Sequence, residues 1–134
     1  MHQIPADEGH HALIVVPTVA DPDVLIPTVA RICSDAEIGR NKGHHPVALV
    51  LSVNSPDPVR AEEGLRTIRA LVANTNADGP AVDLLVHMEA GPIGFGAANN
   101  RGLMAAIGRW GGVPELTVFH NDDAHVSMGW LDGM

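Results

Sequence analysis

The chain has 134 residues, 46% of them hydrophobic, and carries 16 acidic against 8 basic residues for a formal charge of -8. That length suffices for one domain with a core, while the deficit of positive charge excludes a sequence-independent nucleic-acid binder, which needs a basic face. One cysteine, Cys33, excludes an intrachain disulfide and a cysteine-based zinc cluster, so a reducing, cytoplasmic setting is expected.

Residues 1–11 read as an N-terminal tail, with neither the basic start nor the apolar stretch of a signal peptide. No apolar run approaches the length of a membrane span. The histidine pairs His10-His11 and His44-His45 fall in loops, where neighbouring histidines can ligate a metal but are ordinarily solvated. The remainder, 12–134, reads as a single domain.

Ala12 to Val16 is a continuous apolar run closed by Pro17-Thr18, as in a strand buried on both faces. Asp21-Pro22-Asp23 then supplies a cap and an early proline for a helix extending to Gly39, which Pro27 should distort unless it lies in the first turn. Gly39 to His45 reads as a loop. A second strand, Val47 to Leu51 with Val53, ends in the turn Asn54-Ser55-Pro56-Asp57-Pro58. From Val59 to Ala73 apolar residues recur at helical spacing, with Arg60, Glu62, Glu63, Arg66 and Arg69 on the wet face. After an exit loop from Asn74 to Pro80 come a third strand, Val82 to His87, and a glycine-rich turn, Gly91 to Gly96. A helix from Ala97 to Trp110 and a fourth strand, Leu116 to Phe119, follow. Strands alternating with helices predict an α/β fold whose mostly parallel sheet is covered by helices on both faces.

Ligands of such sheets bind outside the carboxyl ends of the strands, so these ends belong together: Pro17-Thr18, Asn54 to Asp57, the glycine turn, and Asn121-Asp122-Asp123. Adjacent aspartates repel unless a cation offsets them, and Mg²⁺ or Mn²⁺ favours carboxylate and phosphate oxygens. A turn capped by Asn and Asp is the structural alternative. The glycine turn is not a Walker A loop, since no Gly-Lys-Ser/Thr follows, and its position and spacing do not make a dinucleotide fingerprint. Asn99 and Asn100, poor helix formers, point to a polar task on one helix face.

Two segments carry a family resemblance. Gly94-Phe95-Gly96-Ala97-Ala98-Asn99-Asn100-Arg101-Gly102 looks like the N-x-G-[FY]-x-x-x-x-N-x-G element of the family 2 inverting glycosyltransferases, especially rhamnosyltransferase-like members. Asn121-Asp122-Asp123, followed by Gly129-Trp130-Leu131, resembles their D-x-D strand end and the Gly-Trp-Leu after it, and the element order agrees over about residues 12 to 131. The resemblance implies a Rossmann-like GT-A nucleotide-diphospho-sugar transferase fold, with a UDP-, GDP- or dTDP-sugar bound across the strand ends through Mg²⁺ or Mn²⁺. Carried onto this chain, Asp123 is the metal ligand. Asn121 contacts the ribose or a metal-bound water, with Asp122 between them. Pro17, Thr18, Asn54 and Asp57 lie against base and ribose, and Gly94 with Asn100 shapes the nucleotide pocket. The chain departs from the family at Pro92, where an Asn is expected, and at Leu51-Ser52-Val53-Asn54, which lacks the usual base-reading aspartate in register. The family's acceptor half, with its general base, comes after Gly-Trp-Leu, so no catalytic base is assigned and transfer by this chain alone is not expected. The rival readings are a metal-dependent nucleotidyl- or phosphoryl-transfer enzyme, and a degenerate interaction module whose apolar surface a partner or a second copy covers as a homo-oligomer.

Overall fold

A computed structural model describes residue 7 and residues 9–89 and 95–120. Strands β1 (Ala12–Thr18), β2 (Val47–Val53), β3 (Val82–Met88) and β4 (Thr117–Phe119) alternate with helices α1 (Pro22–Asn41), α2 (Pro58–Thr75) and α3 (Phe95–Trp110). The four strands form one sheet in the order β3-β2-β1-β4, every pairing parallel. The chain therefore steps outward from β1 to β3 and then reverses across β1 to β4. Because parallel crossovers are right-handed, that reversal puts α1 and α2 on one face and α3 on the other.

The packing divides accordingly. Ile14, Val16, Leu49 and Leu51 point to α1 and α2, where Leu25, Val29, Ile32, Leu65 and Ile68 meet them. On the opposite face Leu13, Val15, Ala48 and Val50 pack beneath Ala106, Leu103 and Trp110 of α3. All seven residues of β1 and of β2 are buried, as the continuous apolar runs predict for two-sided strands.

Pro17 nevertheless stands inside β1, a central strand, where proline is normally excluded. The ladder explains it. On the β4 side, Leu13 N–H donates to Leu116 and His120 N–H donates to the carbonyl of Val15. Successive backbone groups on a strand alternate sides, so the nitrogen of residue 17 faces the same way, just past the last β1–β4 bond among the described residues. The missing donor falls where pairing has stopped, beside the crevice between β1 and β4.

Helix α1 differs from expectation at two points. It is continuous across Pro27, well beyond the first turn. An interior proline costs about 3 kcal/mol, and burial of Leu25, Val29 and Ile32 at roughly 1.5–3 kcal/mol each outweighs that. It also runs past Gly39, because Gly39 is a packing glycine: an added Cβ would lie 3.3 Å from Nδ1 of His44. The helix stops instead at Gly43, whose φ of 86° lets its N–H reach the Arg40 carbonyl. The expected exit loop is likewise shortened, as α2 continues to Thr75 and a 3-10 turn spans Asn76–Asp78.

Asn76 ties that turn to β3. Its Oδ1 accepts from Ala81 and Val82 N–H at 2.9 and 3.0 Å, and its Nδ2 donates to Val82 at 2.8 Å. At the same amino-terminal edge of the sheet, His10 is not solvated as a loop histidine would be. Its side chain is 7% exposed, with Nδ1 2.5 Å from Asp7, Nε2 2.6 Å from Asp83 and the ring edge-on to Trp110. Burial disfavours its charge, but hydrogen bonds to Asp83 and Asp7 outweigh that and raise its pKa. His11 stacks on His44, their centroids 4.6 Å apart, so the two sequence pairs meet in space.

Candidate functional site

The strand order reverses between β1 and β4, and at such a switch point α/β sheets open a crevice at their carboxyl edge. Pro17 ends the α3-facing row of β1, beside this crevice. Thr18 points to the other face and is 3% exposed, with its Oγ1 accepting from Ala20 N–H at 2.9 Å. That bond holds Ala20 at φ 58°, a left-handed conformation uncommon for alanine, against Gly64 of α2, where an added Cβ would come 3.0 Å from the Ala20 carbonyl. Thr18 thus shapes the β1–α1 loop. Asn54 is fixed beside it, its N–H donating to the Thr18 carbonyl at 2.9 Å.

Asp57 has a structural task as well. It caps α2, Oδ1 accepting from Arg60 N–H at 3.1 Å, while Ser55 brackets its backbone. Arg60 reaches across to the start of α1 and donates to Asp21 at 2.8 Å and Asp23 at 3.1 Å. The N–H of Asp23, and then Arg60, hold the Asp21 carboxyl below its usual range, and Asp21 in turn raises Arg60. The structure therefore brings Pro17, Thr18 and Asn54 to adjoining strand ends, with Asp57 one turn away. Asn100 lies exposed on α3. Gly94, Asn121, Asp122 and Asp123 lie outside the described residues.

A polar cluster that the sequence reading did not single out occupies the α3 side of this edge. Ser52 of β2 is fully buried and pairs in register with His87 of β3. It belongs to the α3-facing row: a Cβ added to Gly102 would lie 3.5 Å from the Ser52 Cβ and 2.6 Å from Cγ1 of Val15. His87 Nε2 lies 2.8 Å from Oε1 of Glu89, whose side chain is 11% exposed, and Arg101 of α3 approaches Oε2 at 3.9 Å. Asn99, not Asn100, turns its amide inward. Its Oδ1 and the Ser52 hydroxyl are buried without a hydrogen-bond partner among the described residues. Buried polar atoms in this state are rare and call for an explanation.

A signal for this cluster was present in the sequence. Ser52 interrupts an apolar run, and His87 and Glu89, two residues apart, share one face of a strand end. What could not be read is that Arg101, on a different element, approaches Glu89. Among the described residues no group of three or more His, Cys, Asp or Glu is placed to hold a metal ion, and no helix is long and apolar enough to cross a membrane. Neither a protein-family model nor a curated protein matches this sequence.

Proposed function

We propose that this chain binds a nucleotide-diphospho-sugar along the carboxyl edge of its sheet, in the manner of the nucleotide-binding half of a GT-A family 2 inverting glycosyltransferase. The observation that carries the reading is the packing of Gly102. It closes the Gly94 to Gly102 segment and sits where a single added carbon would meet Val15 at 2.6 Å. A glycine at this point of the family-like element thus has a physical reason, since it lets α3 lie close on β1 beside the switch point. The strand order supports the same reading, since β4 pairs with β1 and the Asn121-x-Asp123 sequence follows His120 in the chain.

In this reading Asp123 holds Mg²⁺ or Mn²⁺ against the diphosphate, and the metal supplies the positive charge that the acidic chain lacks. The described arginines of the edge, Arg60 and Arg101, already face carboxylates. Pro17 and Asn54 border the nucleoside. Donor binding, rather than sugar transfer, is the activity proposed for the chain. Calorimetry with UDP, GDP and dTDP, with and without Mn²⁺, tests it: metal-dependent binding is expected, and its absence for all three refutes the reading. Asp123→Ala should remove the metal dependence while the circular dichroism spectrum is retained. Metal-dependent binding by that variant would show the ligand to be another residue.

A further inference from the structure

The turn that carries Asp7, Gly9 and His10 is fastened to the amino-terminal edge of the sheet through a single ring. Asp7 closes the turn on itself, Oδ1 accepting from Gly9 N–H at 2.8 Å and Oδ2 lying 2.5 Å from His10 Nδ1. Two contacts reach other elements: His10 Nε2 lies 2.6 Å from Oδ2 of Asp83 on β3, and Asp7 N–H donates to the Val113 carbonyl ahead of β4 at 2.8 Å. Directly after His10 the chain joins the sheet, His11 N–H donating to the Pro46 carbonyl at 2.9 Å, so the turn is hinged there. Among the described residues the charged groups against the imidazole are Asp7 from its own turn and Asp83 from β3, while α3 contributes the uncharged Trp110, edge-on at 5.0 Å.

These contacts fit one protonation state. The imidazolium has two N–H donors, one for each carboxylate, whereas neutral imidazole keeps one donor and turns the lone pair of its other nitrogen on a carboxylate oxygen. The two carboxylates do not compete equally for the remaining donor. Asp7 is buried and belongs to the same turn, so abandoning it would strand a buried charge, while Asp83 is half exposed and water can replace the ring. The neutral ring therefore keeps Nδ1–H on Asp7 and lets Asp83 go.

We propose that Asp7, Gly9 and His10 form a proton-gated strap, docked on β3 while both ring nitrogens carry protons and released from it when Nε2 gives its proton to solvent. The turn closed by Asp7 survives the step. What remains between it and the body, among the described residues, is the backbone bond to Val113 and the edge contact with Trp110. Burial works against the charge on His10, but the hydrogen bonds to Asp83 and Asp7 outweigh it and raise the pKa above 6.5. The strap is therefore docked below that ordinary value and released as pH rises through the raised one. Release frees the Asp83 carboxylate and the edge of Trp110 at the end of the sheet opposite the carboxyl-edge crevice, so the device stands independently of the nucleotide reading.

Nuclear magnetic resonance of the full chain from pH 5.5 to 9 tests this. Imidazole ¹⁵N shifts should show both His10 nitrogens protonated at low pH and Nδ1 alone protonated above the titration. Across the same step the order parameters of the Asp7 and Gly9 amides should fall from about 0.85 to below about 0.6, with those of β1 and β2 unchanged. An Nε2–H tautomer at high pH, or a strap that stays ordered while His10 titrates, would overturn the proposal. Asp83→Asn separates a gate from ordinary packing, because Asn can donate an amide N–H to the unprotonated Nε2, and its strap should stay ordered to pH 9. Release of that variant's strap at the same pH as the parent's would also overturn the proposal. Should the variant fail to fold, the parent titration decides.

Discussion

The His10 clamp makes stability depend on pH in a direction the structure fixes. Both ring nitrogens lie against carboxylate oxygens, Nδ1 on Asp7 and Nε2 on Asp83, and acceptors on both sides require the imidazolium, which alone has two N–H donors. Hydrogen bonds to charged groups contribute about 1.5–3 kcal/mol each. The Asp7 bond counts in full, since the two side chains are 7% and 8% exposed, whereas Asp83 is 50% exposed and its contribution is cut by solvent to about 1 kcal/mol or less. His10→Gln should therefore lower stability by about 2–4 kcal/mol at pH 5.5. Because the folded pKa is raised, this stabilisation is fully present below the unfolded value of about 6.5 and is lost as pH rises through the raised folded value. Urea denaturation of parent and variant at intervals from pH 5.5 to 9 isolates His10 from the other histidines by difference. The gap should be constant below about pH 6.5 and shrink above it. A gap that is constant across the range, or that widens with pH, would refute the doubly bonded imidazolium.

Two glycines of α3 should respond oppositely to alanine. At Gly108 an added Cβ meets nothing within 4 Å, so Gly108→Ala should stabilise by about 0.5–1 kcal/mol, whereas Gly102→Ala should destabilise by about 1–2 kcal/mol despite the same helix gain. Val15→Ala should offset the Gly102→Ala loss, which a double-mutant cycle by thermal melting will show as strong coupling. Asn76→Ala removes three hydrogen bonds at the start of β3 and should cost about 2–3 kcal/mol, measured by chemical denaturation. Cys33 is 3% exposed and burial pushes its thiol pKa up, so a thiol reagent at pH 8 should label the native protein at the rate of opening, with full labelling in denaturant.

Local patterns carried most of the fold. The apolar runs at Ala12 and Val47 can be satisfied only by strands covered on both faces, and Asp21 announces the start of α1 as a helix cap. These signals act between residues close in sequence, and so they survive without tertiary knowledge. The misread places are those where a distant element decided. Gly39 looked like a terminator but lies inside α1, packed closely against His44, and Pro17 looked like a strand's end but sits within β1 because the β1–β4 ladder stops beside it. His10 looked like a solvated tail residue and is buried because Asp83, 73 residues away, lies opposite it.

The candidate site divides the same way. The sequence by itself determined that the strand ends bearing Thr18 and Asn54 would be brought to one edge, because parallel βαβ units leave all carboxyl ends together. Which asparagine of the pair in α3 faces inward depended on how α3 is rotated on the sheet, and that Ser52 meets the row of His87 and Glu89 depended on the register of β2 with β3. In that orientation Gly102 lies close on Val15, and Ala106, Leu103 and Trp110 pack on the same face of the sheet. Contacts between elements far apart in the chain follow from packing, and packing is settled by the shapes of both surfaces at once, which no local spacing encodes.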